Sequence, residues 1–135
     1  MATNSTDSAV VCILDDDDSV RESLAALLEP LSIRIFTYSN AQDFLDSLET
    51  EAAPDCLITE VDLPGLGGLQ LLEQLSKLGH HVPTIFLSRD GNVRTAVHAM
   101  RVGAVDFIEK PFINGTLLQN VKKIISARRE PSTSK

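Results

Sequence analysis

No apolar run in this 135-residue chain approaches the ~20 residues that a membrane-spanning helix needs. The opening residues, MATNSTDSAV, lack the basic region and apolar stretch of a secretory leader, so a cytoplasmic protein is expected. Cys12 and Cys56 have no CxxC partner and no Cys/His spacing around them, which leaves no zinc motif; both lie inside apolar runs and read as small buried thiols. GxxxxGK[ST] and GxGxxG are absent, so the chain lacks the phosphate loops of the common nucleotide-binding folds. No internal repeat is present. Basic residues are scarce where acids abound: residues 1–62 hold 14 acids and 2 bases, whereas residues 63–135 hold 5 acids and 10 bases. The net charge of −7 argues against direct nucleic-acid binding by this chain alone. The split suits a metal site in the acidic half and a docking surface in the basic half; solvated faces in both halves are the alternative.

What the chain does contain is alternation. Val10–Leu14, Ile33–Tyr38, Cys56–Thr59, Pro83–Leu87 and Val105–Ile108 are short, apolar and bounded by polar or Gly/Pro residues, and each reads as a strand. They lack a clean inside–outside pattern, as expected of parallel strands covered on both faces. Between them run stripes with helical spacing. Val20, Leu24, Leu27 and Leu28 form the first, stopped by Pro30, and Ala41, Phe44, Leu45 and Leu48 the second, with Asn40 as its N-cap. Leu71, Leu72, Leu75 and Leu78 form the third, closed by Gly79, and Val93, Ala96, Val97 and Met100 the fourth, closed near Gly103. Leu117, Leu118, Val121, Ile124 and Ile125 form the last. All five stripes are read as core-facing. Alternating strands and helices predict an α/β, flavodoxin-like (βα)5 domain: a doubly wound parallel sheet of order 2-1-3-4-5 over residues 9–127. Residues 1–8 are expected to be a flexible tail, and residues 128–135 a tail or the start of a linker.

Such a sheet binds ligands beyond the carboxyl ends of its strands, at the switch point between strands 1 and 3. Four of the five expected strands bring a reactive polar group to that edge. Asp15, Asp16, Asp17 and Asp18 follow the first, Glu60 the third and Ser88 the fourth, and Glu109 and Lys110 the fifth. Clustered carboxylates repel one another unless a cation joins them, and hard oxygen ligands suit Mg2+ or Mn2+. A lysine and a serine opposite them can bind phosphoryl oxygens as charge develops. Asp17 and Asp18 read as solvated or as caps of the first helix, together with Ser19. His80 and His81 precede the fourth strand, away from the carboxylates, and His98 reads as an exposed helix residue; none is assigned a metal role.

At these residues a resemblance becomes specific. The pieces CILDDDDSVRESL, DCLITEVDLPGLGGLQLL, TIFLS and AVHAMRVGAVDFIEKPF, in this order, resemble the response-regulator receiver domain of two-component signalling over nearly all of residues 9–125. The last piece is most similar to regulators whose output is a LuxR-type helix-turn-helix. The resemblance implies a signalling module rather than an enzyme, working in a phosphorelay with a sensor histidine kinase or its phosphotransfer partner. It implies that Asp15, Asp16, Glu60 and Asp62 form a weak Mg2+ or Mn2+ site and that Ser88 and Lys110 carry the chemistry. Ser88 and Phe107 would be the switch pair, and the Lys110–Pro111 bond would be cis. The face from 93 to 129 would dock an output domain or a second copy of the chain, without contact to membrane.

Two residues depart from the family pattern. Glu60 stands where the resemblance places a phosphoaccepting aspartate. Its extra methylene carries the carboxylate ~1.5 Å further, and a misplacement of ~1 Å can cost ~100-fold in rate. From this the chain is expected to be a pseudo-receiver or a phosphate-mimic form; simple loss of function is the plainer reading. Arg89 follows Ser88 where the family has a small residue. It either covers the site and pairs with Glu60 or Asp16, or lies exposed in its loop. A phosphatase of the haloacid dehalogenase type, with an aspartate nucleophile at Asp15-x-Asp17, is the rival reading; it lacks the acidic pair those enzymes need after the lysine.

Overall fold

In a computed structural model of the chain, which describes residues 9–89, 91–110 and 114–129, strands and helices alternate from β1 to α5. The strands are β1 (Val10–Leu14), β2 (Arg34–Tyr38), β3 (Cys56–Glu60), β4 (Thr84–Ser88) and β5 (Asp106–Glu109). The helices are α1 (Asp18–Leu28), α2 (Ala41–Ser47), α3 (Gly68–Lys77), α4 (Val93–Arg101) and α5 (Asn114–Arg129). The sheet is parallel with order β2-β1-β3-β4-β5, the doubly wound flavodoxin-like arrangement expected. Residues 1–8 and 130–135, and the Lys110–Pro111 bond, fall outside the described residues; Arg128 and Arg129, expected in the tail or linker that starts at 128, instead end α5.

Local chemistry sets the element ends. Asp17 caps α1 by accepting the N–H groups of Ser19 and Val20, and Asn40 caps α2 through the Asp43 N–H at 2.8 Å. Pro30 falls in a 3-10 turn, Glu29–Leu31, directly after α1. Gly79 takes a left-handed φ of 84° just past α3, where a side chain would be strained.

Successive residues of the central strands point to opposite faces, so the sheet has two cores. Cys12, Leu14, Leu57 and Phe86 pack with Phe44 of α2 and with Leu71 and Leu75 of α3. Val11, Ile13, Cys56, Ile58, Ile85 and Leu87 pack on the other face with Leu24 and Leu28 of α1 and with Leu117, Val121 and Ile124 of α5. Cys12 and Cys56 therefore occupy different cores, and burial pushes both thiols up to about 12. β3 and β4 are buried along their whole length, whereas the edge strands β2 and β5 are only partly covered.

The α4 stripe departs from the sequence expectation. Val93 is 77% exposed, Val97 45% and Met100 49%; Ala99 is the buried residue of the helix. Helical periodicity identifies an apolar face but not what lies opposite it, and here α4 turns that face outward.

Candidate functional site

Three strand ends meet at the switch point. β1 delivers Asp15, β3 delivers Glu60, and β5 is followed at once by Lys110. Asp15 and Glu60 are fully buried, carboxylates included. The Lys110 ammonium bridges them, with Nζ 2.9 Å from Asp15 Oδ2 and 2.7 Å from Glu60 Oε1. Burial acts to lower the lysine pKa, but hydrogen bonds to Glu60 and Asp15 and the charges of both carboxylates outweigh it, so the Lys110 pKa lies above its ordinary value.

The remaining oxygens are held by backbone. Asp15 Oδ1 accepts the Asp17 N–H at 3.0 Å, and Glu60 Oε2 accepts the Asp62 N–H at 3.2 Å. Arg21, one turn into α1, donates to the Asp15 carbonyl at 2.6 Å. The sequence reading missed Arg21; its signal is a basic residue just inside a helix that starts in acidic residues. The Lys110 N–H donates to the Ser88 carbonyl at 2.7 Å, which joins the end of β4 to the same centre, and Ser88 is buried.

The other expected site residues lie further out. Asp16 and Asp62 are exposed. Phe107 is half-buried against the core on the α2–α3 side of the sheet. Arg89 reaches over the pocket from the loop after β4: its Nη2 lies 3.3 Å from Asp16 Oδ1 and its Nε 3.9 Å from Glu60 Oε1. His98 is exposed, with Nε2 3.7 Å from Glu73 Oε2, and has no part in the pocket.

Among the described residues no group of three or more His, Cys, Asp or Glu side chains is arranged to hold a metal ion. The expected set of Asp15, Asp16, Glu60 and Asp62 is thus not preassembled as a cage. Lys110 joins two of its members and Arg89 a third, while Asp62 contributes its backbone. The donor set still fits a hard divalent cation: Asp15, Asp16 and Glu60 carry one more charge than Lys110 and Arg89 cancel, and all their donors are oxygens.

The pattern of the family described as "Response regulator receiver domain" matches residues 11–122. The transcriptional regulatory protein FixJ of Azorhizobium caulinodans is 39% identical over 124 residues, covering 92% of this chain and 58% of that protein. The transcriptional regulatory protein TdiR of Thauera aromatica is 36% identical over 129 residues, covering 96% and 56%. Among solved structures, a response regulator receiver protein from Pseudoalteromonas atlantica superposes with a TM-score of 0.82 at 35% identity, over 89% of this chain and 99% of that one. The structure described as FixJ-N has a TM-score of 0.80 at 31% identity, over 93% and 98%. The chain spans somewhat over half the length of the two regulators.

These matches correct two parts of the sequence reading. They are to the receiver domain as such and to proteins named as transcriptional regulators. Setting this chain apart as a pseudo-receiver or phosphate-mimic form is given up, and with it the description of Glu60 as a substituted acceptor. A substitution is a relation between sequences, and lost activity is a property of a reaction; a glutamate ending β3 establishes neither. The aspartate immediately before β3 is Asp55. Its Oδ2 accepts the Val10 N–H at 2.8 Å and its Oδ1 lies 3.8 Å from Arg128 Nε. It therefore sits at the start of the strand, roughly 16 Å along it from Glu60, whereas Lys110 bonds Glu60. The haloacid dehalogenase-type alternative also falls, because fold and family are those of a receiver.

Proposed function

The chain belongs to the response regulator receiver domain family, and on that premise we propose that it is the input module of a two-component phosphorelay in the cytoplasm. A sensor histidine kinase or phosphotransfer partner acts on the pocket around Lys110, and the signal leaves through the face formed by α4, β5 and α5. The family is one of signalling modules, not of enzymes. The observation that carries the reading is the Lys110 bridge between Asp15 and Glu60 at the switch point. An ammonium held by buried carboxylates is oriented before any phosphoryl group arrives, so its charge costs no reorganisation when charge develops. Ser88, at the neighbouring strand end, supplies a second phosphoryl contact, and Phe107 follows it as the switch aromatic. Mg2+ or Mn2+, when bound, would be held weakly by Asp15, Asp16 and Glu60 beside Asp62, and would neutralise charge on the phosphoryl oxygens.

The output face is supported by charge and exposure together. Val93, Val97, Met100 and Val105 are exposed apolar residues, and Arg94, Arg101, Lys122 and Lys123 are exposed bases on the same elements or beside them. A partial apolar surface rimmed by positive charge suits a protein partner, either an output domain or a second copy of this chain.

The test is phosphoryl uptake from acetyl phosphate, followed as intact mass and mapped to a residue, for the chain and for Lys110→Ala, Asp55→Asn and Glu60→Asp. Uptake of one phosphoryl group that needs Mg2+ and Lys110 is expected. Glu60→Asp, whose shorter side chain draws the carboxylate back by ~1.5 Å, is expected to change the rate, since such a displacement can matter ~100-fold. Asp55→Asn is expected to leave it unchanged. Modification mapped to Asp55 would move the acceptor to the other end of β3, and absence of uptake in the chain overturns the reading.

A further inference from the structure

The pocket contains a second cation that the reading above does not use. Lys110 is committed: its side chain is 15% exposed and its ammonium makes two short bonds to buried carboxylates. Arg89 is held differently. Its side chain is 60% exposed, and its two contacts, 3.3 Å to Asp16 and 3.9 Å to Glu60, are long for charge-assisted hydrogen bonds. The guanidinium is thus a loosely bound positive charge that spans the two carboxylates.

Those are the same two carboxylates that a divalent cation needs in addition to Asp15. We propose that Arg89 is a built-in competitor for the metal, a residue that occupies the span between Asp16 and Glu60 and must swing out before a divalent cation can use both. This rests on the metal reading given above. The charges set the direction. With Arg89 in place the three carboxylates and two cations leave one net negative charge, and with Arg89 withdrawn they leave two. An incoming divalent ion is therefore opposed by a like charge and deprived of ligand oxygens for as long as Arg89 stays. The weakness of exposed ion pairs makes the competition reversible, so Arg89 raises the metal concentration required without abolishing binding. The residue also follows Ser88 directly, so its departure on metal binding uncovers the pocket at the strand end where the serine lies.

The experiment is a Mg2+ titration of the full chain by calorimetry and by thermal shift, for the parent, Arg89→Ala, Arg89→Gln and Lys77→Ala. Lys77 is an exposed lysine at the end of α3 and controls for loss of one positive charge. Both Arg89 variants are expected to bind Mg2+ roughly tenfold more tightly than the parent, a change of ~1.4 kcal/mol, while Lys77→Ala stays near the parent value. Circular dichroism without metal checks that the folds agree. Equal affinity in the parent and both Arg89 variants overturns the competition while leaving the metal site standing. An equal gain in Lys77→Ala reduces the effect to net charge and also overturns it. Absence of Mg2+ binding in every variant overturns the metal reading and this inference together.

Discussion

Lys110 and the two buried thiols make the residue scale sensitive to alkali. A lysine whose pKa is raised by folding stabilises the fold below its unfolded value and loses that contribution as pH rises through the folded value. A thiol pushed up to about 12 acts in the same direction: above ~9 the unfolded chain releases the proton while the folded chain retains it. Stability is therefore expected to fall steadily above pH ~9, by roughly 1.4 kcal/mol per pH unit for each thiol. Urea melts at pH 8 and 10 measure the slope, and Cys56→Ala should lower it by one thiol's share; an unchanged slope removes Cys56 as a cause. The Lys110 bridge should be the costlier loss. Lys110→Ala leaves two buried carboxylates facing each other and is expected to destabilise by about 3 kcal/mol at neutral pH, with part of that recovered on adding Mg2+. Each group involved was visible in the sequence as an isolated residue at a strand end. That one ammonium touches both carboxylates was not, because the contacts join residues 50 and 95 positions apart.

Among the elements, α3 and α4 show the same signal with opposite outcomes. Leu71, Leu72 and Leu75 are buried, whereas Val93, Val97 and Met100 are not. The first turn of α3 lies so close to the end of β3 that a Cβ on Gly68 would come within 2.9 Å of the Glu60 carbonyl oxygen and of the Phe86 ring. Gly68→Ala is therefore expected to cost about 1–3 kcal/mol and to disturb the backbone that carries Glu60. Chemical denaturation tests the first effect, and Mg2+ affinity the second. Asn40→Ala removes the oxygen that caps α2 and should cost about 1 kcal/mol without changing Mg2+ affinity. Caps and stripes were legible because they depend on neighbours three or four residues away. The contact at Gly68 depends on how closely a helix approaches a strand, which no local pattern encodes.

Over the whole molecule, the charge imbalance between the two halves becomes a spatial one. The acidic strand ends form the pocket, and exposed bases surround the outward stripe of α4. Among the described residues no helix is long and apolar enough to cross a membrane. Because Val97 and Met100 are exposed, Val97→Asp with Met100→Asp should change stability by no more than about 0.5 kcal/mol per site. The same pair should weaken binding to an output domain or to a second copy. Analytical ultracentrifugation together with a thermal melt separates the two effects, and a large fall in melting temperature would show that the α4 face is part of the core after all.

The sequence by itself determined the alternation of strands and helices, the sheet order, the cap at Asn40, and the presence of polar groups at four strand ends. These follow from short-range periodicity and from the handedness of parallel connections. Only the tertiary structure decided that Lys110 bridges Asp15 and Glu60, that Arg89 spans Asp16 and Glu60, and that α4 turns its apolar stripe to solvent. Each of these depends on how distant elements pack or on the reach of a side chain across the sheet. Such distances arise only when the whole chain closes on itself.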